Sequence, residues 1–287
     1  MEQYKELLEK IMSEGENSGD RTGTGTRRIF GHYMSFDCSE TFPLVTMKYT
    51  HFPAIAHELL WFIKGSTNIK YLQDNGITIW DEWANAVGEV GPMYGAQWRH
   101  RGGLHYATLD GLKVRAGTDQ LQGAIDTIIE KPYSRRIIVD CWDVATLSDE
   151  DINPKQNVDA GLMALAPCHM MFQFFVSGRK ELSMTVYQRS VDSFLGLPFN
   201  IASYALLLKM VAQVTFTVPK MLNWVGGDVH IYNNHIPQVK ELLKRESLPL
   251  PTLELNPYCM NIDEFNYADI DLQKYHHQGR LAGAISV

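Results

Sequence analysis

The sequence predicts an α+β fold, and three observations predict it. Stretches with helical and with strand-like periodicity are mixed along one chain. Two of the strand-like runs, residues 169–177 and 181–190, are sequence neighbours joined by a turn and not by a crossover helix. The chain has 287 residues, 45% of them hydrophobic, which is enough for a sizeable core.

Each element follows from its own pattern. Residues 1–14 read as an amphipathic helix. "RRIFGHYMSFD" alternates like a strand. "PAIAHELLWFIKG" (53–65) reads as a buried helix, with Pro53 in its first turn and Gly65 at its end. "LQGAIDTIIEKP" is predicted as a helix and "SRRIIVDCWD" as a strand. "HMMFQFFVS" and "ELSMTVYQRS" form a strand pair, with "GRK" between them. Over 198–215, Ile201, Ala205, Leu208 and Ala212 share one helical stripe. "MLNWVGGDVHIY" reads as a strand, and "NNHIPQVKELLKRES" as a helix with Pro237 near its start. Residues 99–118 and 148–162 are polar and irregular, and are predicted as surface insertions.

Composition limits the function classes. The net charge is -7, which argues against a general nucleic-acid surface; an anionic ligand needs a local arginine cluster. No apolar run reaches the about 18 residues of a membrane span. The charged start "MEQYKELLEKIMSEGENSGD" lacks a signal peptide's apolar stretch, so a cytoplasmic protein is expected. Cys38, Cys141, Cys168 and Cys259 are far apart, so neither a disulfide framework nor a structural metal site is expected.

Several residue types stand out chemically. In "LAPCH", Cys168 is a core thiol, the commonest fate of a free cysteine, or a nucleophile. A nucleophile must be thiolate, and Arg189 on the following strand is a cation that favours that form. "GDRTGTGTRR" lacks the end of a P-loop but presents Arg21 on a glycine-rich loop. Arg21, Arg135, Arg136 and Arg189, with Ser190, would make one phosphomonoester site if the fold gathered them. Glu58 lies within an apolar helix, where burial would raise its pKa and suit proton transfer. Trp80 and Trp83, three apart on one predicted helical face, are core packing or a platform for a flat heterocycle. His230 and His235 fit no zinc spacing and are read as hydrogen-bonding groups.

The segments "GDRTGTGT", "HELLWF", "TIWDEWA", "GPMYGAQWR", "SRRII", "LAPCH", "QRSVDSFLGLPFNIASYALL" and "GGDVHIYNNH", in this order, resemble the thymidylate synthase family over nearly the whole chain. That resemblance implies a single domain, 1–287, with a large mixed β-sheet flanked by helices. One sheet face would pair two copies into a homodimer. It implies reductive methylation of dUMP to dTMP, with 5,10-methylenetetrahydrofolate giving a one-carbon unit and a hydride and leaving as dihydrofolate. No metal and no nucleic acid are required.

The resemblance also implies roles. Cys168 is the nucleophile toward C6 of uracil, making C5 electron-rich. Glu58 manages protons and Tyr94 assists removal of the C5 proton. Arg21, Arg189 and Ser190 hold the phosphate, with Arg135 and Arg136 from the neighbouring subunit. Asn200 reads N3–H and O4 of the pyrimidine, while His230 and Tyr232 meet the 3′-hydroxyl. His169 and Gln188 are polar groups of the same pocket. The folate would lie against Ile79, Trp80, Trp83, Leu195, Gly196 and Phe199, with Asp192 on its pterin. Lys48 and His51 would face its glutamate tail. Ser286 and Val287 belong to a C-terminal lid. A related chemistry, water in place of hydride to give 5-hydroxymethyl-dUMP, is the alternative. Trp80 and the terminal valine argue against it, because both should exclude water.

Overall fold

Six strands build the main sheet of the computed structural model, which describes residues 1–20, 23–102 and 117–285. They are Glu16–Ser18 (β1), Thr26–Asp37 (β2), Ile138–Asp140 (β3), His169–Val176 (β4), Glu181–Asp192 (β5) and Val218–Tyr232 (β6). Their order is β1-β2-β6-β5-β4-β3. Only β5 and β6 run parallel; the other pairs are antiparallel, so the sheet is mixed. A parallel pair needs a crossover. The crossover here is the helix Gly196–Val214 (α7).

Burial explains these choices. Along β5, Leu182, Met184, Val186 and Gln188 are buried, and the residues between them are not. One face therefore meets the core, while the other carries Tyr33, Ser35, Thr185, Tyr187 and Asn223. Fourteen of the 19 residues of α7 are buried, among them the predicted stripe Ile201, Ala205, Leu208 and Ala212. The stripe is only part of the buried surface, because α7 packs between the sheet and Phe52–Ile63 (α2) and is apolar nearly all round. By length and composition α7 could cross a bilayer, yet most of it is enclosed by the core. Glu2–Glu14 (α1) packs Tyr4, Leu7, Leu8 and Ile11 under β2.

The remaining helices are short: Lys70–Asp74 (α3), Tyr94–His100 (α4), Gln120–Glu130 (α5), Pro154–Asp159 (α6) and Ile236–Leu242 (α8). Thr252–Leu255 (β7) and Ile270–Gln273 (β8) form a separate hairpin-like pair.

Four expectations need correction. The strand expected over 134–143 shrinks to β3, because it is an edge that pairs with β4 at only three positions. The helix expected over 233–247 begins as a 3₁₀ turn, Asn233–His235, and ends at Leu242, ahead of Pro249 and Pro251. Trp80 and Trp83 do not share a regular helix; residues 79–83 form successive turns, tied by Trp83 N–H to the Trp80 carbonyl at 3.1 Å. The 148–162 stretch, expected to be irregular, is partly helical. It contains α6, with Pro154 in its first turn and a reciprocal cap between Asn153 and Gln156. Buried Asn157 staples it, accepting from Asp149 N–H at 2.8 Å and donating to the Asp149 carbonyl at 2.9 Å. Most of 99–118 lies outside the described residues.

Candidate active site

Cys168 immediately precedes β4, and two backbone bonds fix it. Its N–H donates to the Tyr94 hydroxyl at 2.9 Å, and its carbonyl accepts from Arg189 N–H at 2.8 Å. The thiol thus sits where β4, β5 and α4 meet. It faces a cavity of about 470 Å³ whose wall also carries Trp83, Arg189, Ser190, His230 and Tyr232. The Arg189 side chain is anchored by the carbonyls of Pro167 and Ala166, both at 2.9 Å, and lies over the Trp142 ring.

Burial pushes the Cys168 thiol above its ordinary range; the Arg189 charge opposes this most, Asp192 reinforces it, and the Tyr94 hydroxyl opposes it. The arginine acts in the expected direction, but desolvation outweighs it. In the ligand-free chain the group is therefore a protected thiol.

Behind the cysteine the side chains are buried. The Tyr94 ring stacks on His169 with centroids 4.1 Å apart. His169 Nδ1 pairs with the Tyr204 hydroxyl at 2.7 Å, and burial pushes its pKa down to about 3. It is thus a neutral ring that props Tyr94, and it cannot serve as a cation beside the thiol. Burial pushes Tyr94 well above the usual phenol range, so it stays protonated. Glu58, on the buried face of α2, accepts the Trp80 indole N–H at 2.7 Å. Burial raises Glu58 to about 7, with the Trp80 hydrogen bond opposing. Trp80 is accordingly a partner of the carboxylate as well as part of the core. Gln188 accepts from Trp224 Nε1 at 3.0 Å and donates to Asn200 Oδ1 at 2.9 Å, which fixes the Asn200 amide.

On the open side the wall is charged. Asp228 and His230 project from the same face of β6, two residues apart, and Arg28 lies opposite His230 on β2. Ser148, Asp149, Glu150 and Ile152, just before α6, also border the cavity.

The other predicted residues are distributed around this centre. Ile79, Leu195 and Phe199 are half-buried against the core. Asp192 Oδ1 accepts the N–H groups of Phe194 and Leu195 at the turn into α7, where Gly196 begins the helix. Lys48 is buried, its Nζ 2.5 Å from the Phe194 carbonyl and over the Phe194 ring. Burial lowers it to about 8, with Asp192 opposing. In this conformation it faces inward, and meeting a glutamate tail requires it to leave Phe194. His51 is exposed at the start of α2. Arg135 and Arg136 are exposed ahead of β3 and do not reach the cavity of their own chain. Arg21 and Ser286 lie outside the described residues, as does Val287.

Sequence reasoning missed Asp228, Arg28, Tyr204, Trp224 and the 148–157 wall. Two signals were available: the i, i+2 spacing of Asp228 and His230 on one strand face, and the Asn153-x-x-Gln156 capping pattern.

The family model for thymidylate synthase matches residues 2–287. The chain belongs to the thymidylate synthase family. Thymidylate synthase of Francisella philomiragia subsp. philomiragia is 47% identical over 287 residues, all of both chains. That of Francisella tularensis subsp. holarctica is 48% identical over 287 residues, again all of both chains. Thymidylate synthases are methyltransferases that act on dUMP, with methylenetetrahydrofolate as the co-substrate general to the family.

Proposed function

We propose that this thymidylate synthase homologue converts dUMP to dTMP by reductive methylation, in the cytoplasm, through a transient bond between Cys168 Sγ and C6 of the uracil ring. The observation that carries this reading is the position of Cys168. It stands at the boundary between a buried layer of titratable groups and an open wall bearing Arg189. Addition of the thiolate to C6 leaves electron density on C5, the carbon to be alkylated. The dianionic phosphate belongs with Arg189 and Ser190, joined by Arg21. The thiol is protonated in the ligand-free chain, so a proton must leave as the ring binds. Glu58, at about 7, is poised between its two states near neutral pH and suits proton transfer through water. Tyr94, hydrogen-bonded beside the cysteine and held protonated by burial, is placed to orient the proton leaving C5.

Asn200 Oδ1 already accepts from Gln188, and its second lone pair remains for the uracil N3–H. The orientation of this amide is therefore set before the pyrimidine arrives. Methylenetetrahydrofolate supplies the one-carbon unit and the hydride. The half-buried Ile79, Trp83, Leu195 and Phe199 leave apolar surface that suits its ring system. The reading includes a homodimer formed through the exposed sheet face. Support comes from the partly uncovered face around Tyr33 and Phe175 and from Arg135 and Arg136, which point away from their own cavity.

Incubation with 5-fluoro-dUMP and methylenetetrahydrofolate tests the mechanism. The expected result is a covalent ternary adduct mapped by mass spectrometry to the peptide bearing Cys168. No adduct, or an adduct on another cysteine, overturns it. With dUMP itself, dTMP and dihydrofolate should accumulate together. A hydroxymethylated nucleotide without dihydrofolate would replace the hydride route with the water route.

A further inference from the structure

Four charged or titratable side chains form a chain from the sheet edge to the cavity. Glu16 on β1 lies 3.5 Å from Arg28 Nε on β2. Arg28 Nη1 donates to Asp228 Oδ2 on β6 at 2.9 Å. The second oxygen, Asp228 Oδ1, is 2.9 Å from His230 Nδ1. Arg28, Asp228 and His230 all border the cavity. The strand register explains the assembly. Arg28 is directly opposite His230 across β2 and β6, and so reaches Asp228 on the diagonal. Asp228 and His230 share a face of β6, two residues apart.

The carboxylate's chemistry decides whether His230 Nδ1 carries the shared hydrogen. An ionised carboxylate only accepts hydrogen bonds. Asp228 is held ionised because its hydrogen bond to His230 and, with it, the Arg28 guanidinium hold the carboxyl below the usual range against burial. A neutral imidazole that donates through Nδ1 must carry a lone pair on Nε2. The ring is turned by Asp228 on one edge and meets Tyr232 edge-to-face at 5.1 Å.

We propose that Arg28 and Asp228 are positioning residues that lock His230 as its Nδ1–H tautomer, so that Nε2 presents an acceptor to the ligand's sugar. This rests on the reading of the cavity as a nucleotide site. An acceptor at that position demands a hydroxyl that can donate: a free 3′-hydroxyl satisfies it, whereas a 3′-deoxy or 3′-phosphorylated sugar does not. The device therefore selects deoxynucleoside monophosphates by their free 3′ end. Arg28 does this without touching the sugar. It occupies Oδ2 and keeps the carboxylate turned so that Oδ1 faces the imidazole.

Two measurements test the proposal. In ligand-free protein labelled with ¹⁵N at histidine, long-range ¹⁵N–¹H correlation spectra report the tautomer, with His230→Gln assigning the signal. The expected result is Nδ1–H in the native chain and growth of the Nε2–H form in Asp228→Asn. An Nε2–H ring in the native chain overturns the proposal. Secondly, equilibrium binding compares dUMP with 2′,3′-dideoxyuridine 5′-monophosphate. Loss of one hydrogen bond to a buried group predicts about tenfold weaker binding of the dideoxy compound by the native protein. In Arg28→Leu and Asp228→Asn that ratio should collapse toward unity, with Arg28→Lys restoring part of it. An undiminished ratio in both variants, with native-like circular dichroism, also overturns the proposal. If neither nucleotide binds the native protein, the nucleotide reading fails and takes the sugar contact with it. The tautomer spectrum then still decides whether the lock exists.

Discussion

Replacing Glu58 by Gln removes a buried charge without changing shape, and the consequence for stability depends on pH in a calculable way. Burial raises the Glu58 carboxyl from the ordinary 4.5 to about 7. A carboxyl with a raised folded pKa binds more protons in the folded chain than in the unfolded one. Its burial therefore costs little below pH 4.5, costs progressively more between 4.5 and 7, and reaches the full cost above 7. At 1.36 kcal/mol per unit, the displacement corresponds to about 3 kcal/mol in total, of which about 2 to 3 kcal/mol develops between pH 5 and pH 8. The Gln side chain has no such dependence, and its Oε1 keeps the acceptor for the Trp80 N–H. Urea unfolding of both proteins, at one protein concentration and at both pH values, measures the difference. The Gln variant should gain about 2 to 3 kcal/mol relative to the native chain on moving from pH 5 to pH 8, while losing turnover. An equal stability difference at the two pH values would show that Glu58 is not a buried, proton-holding carboxyl, and its role in proton transfer would fall with it.

Arg189→Leu removes the main influence holding the Cys168 thiol down, so alkylation by iodoacetamide at pH 7 should slow and its pH midpoint rise. Unchanged alkylation would mean that the guanidinium does not act on the sulfur. Asn157→Ala strips both side-chain bonds to Asp149 and should cost about 1 to 3 kcal/mol in denaturant unfolding. A cost near zero would deny that the 148–157 wall is held in this way. His235 is fully buried and holds the C-terminal segment through Nε2 and the Ala284 carbonyl at 2.8 Å. His235→Phe should therefore speed carboxypeptidase release of the last residues from ligand-free protein, and His235→Gln should restore much of the protection. Equal release rates in all three would remove the latch.

The long periodic segments were legible because burial period and strand or helix period coincide there. β5 shows this most clearly, β2 and β6 over part of their length, and α7 was legible instead by its length and apolar content; the α+β class followed from them. Edges and short elements were not legible. β3 is defined by three pairings to β4 and not by its own apolar content, so its pattern overstated its length. The stretch ahead of α6 looked polar and dispensable, yet Asn157 folds its polarity inward onto the backbone of Asp149. At the site, residue types singled out Cys168, Glu58, Arg189 and His230 as candidates. Which groups hold the site was partly hidden: Trp80 reaches Glu58, Tyr204 reaches His169 and Trp224 reaches Gln188 from distant parts of the chain, whereas Asp228 lies only two residues from His230. Lys48 shows the reverse case: a cation expected to face a folate's glutamate tail folds onto Phe194, because apolar burial of its stem and one carbonyl bond can be satisfied there.

The division of the site into two dielectric halves explains how one cysteine can be stable at rest and reactive on demand. Tyr94, His169 and Tyr204 lie behind it and burial keeps all three neutral, so on that side the Tyr94 hydroxyl alone favours a thiolate. The Arg189 charge favours it more, and desolvation outweighs both. In the proposed reaction a bound nucleotide changes that balance. Ring C6 takes the sulfur's electron pair and the negative charge passes to the uracil oxygen, next to an Asn200 amide already held in place by Gln188. In that step charge develops beside a fixed donor and leaves a sulfur that burial disfavours as a thiolate. The thiol is consequently protected against casual oxidation when the cavity is empty. Such an arrangement ties the nucleophile's reactivity to occupancy by the correct ring, and it requires no lysine or charged histidine beside the sulfur.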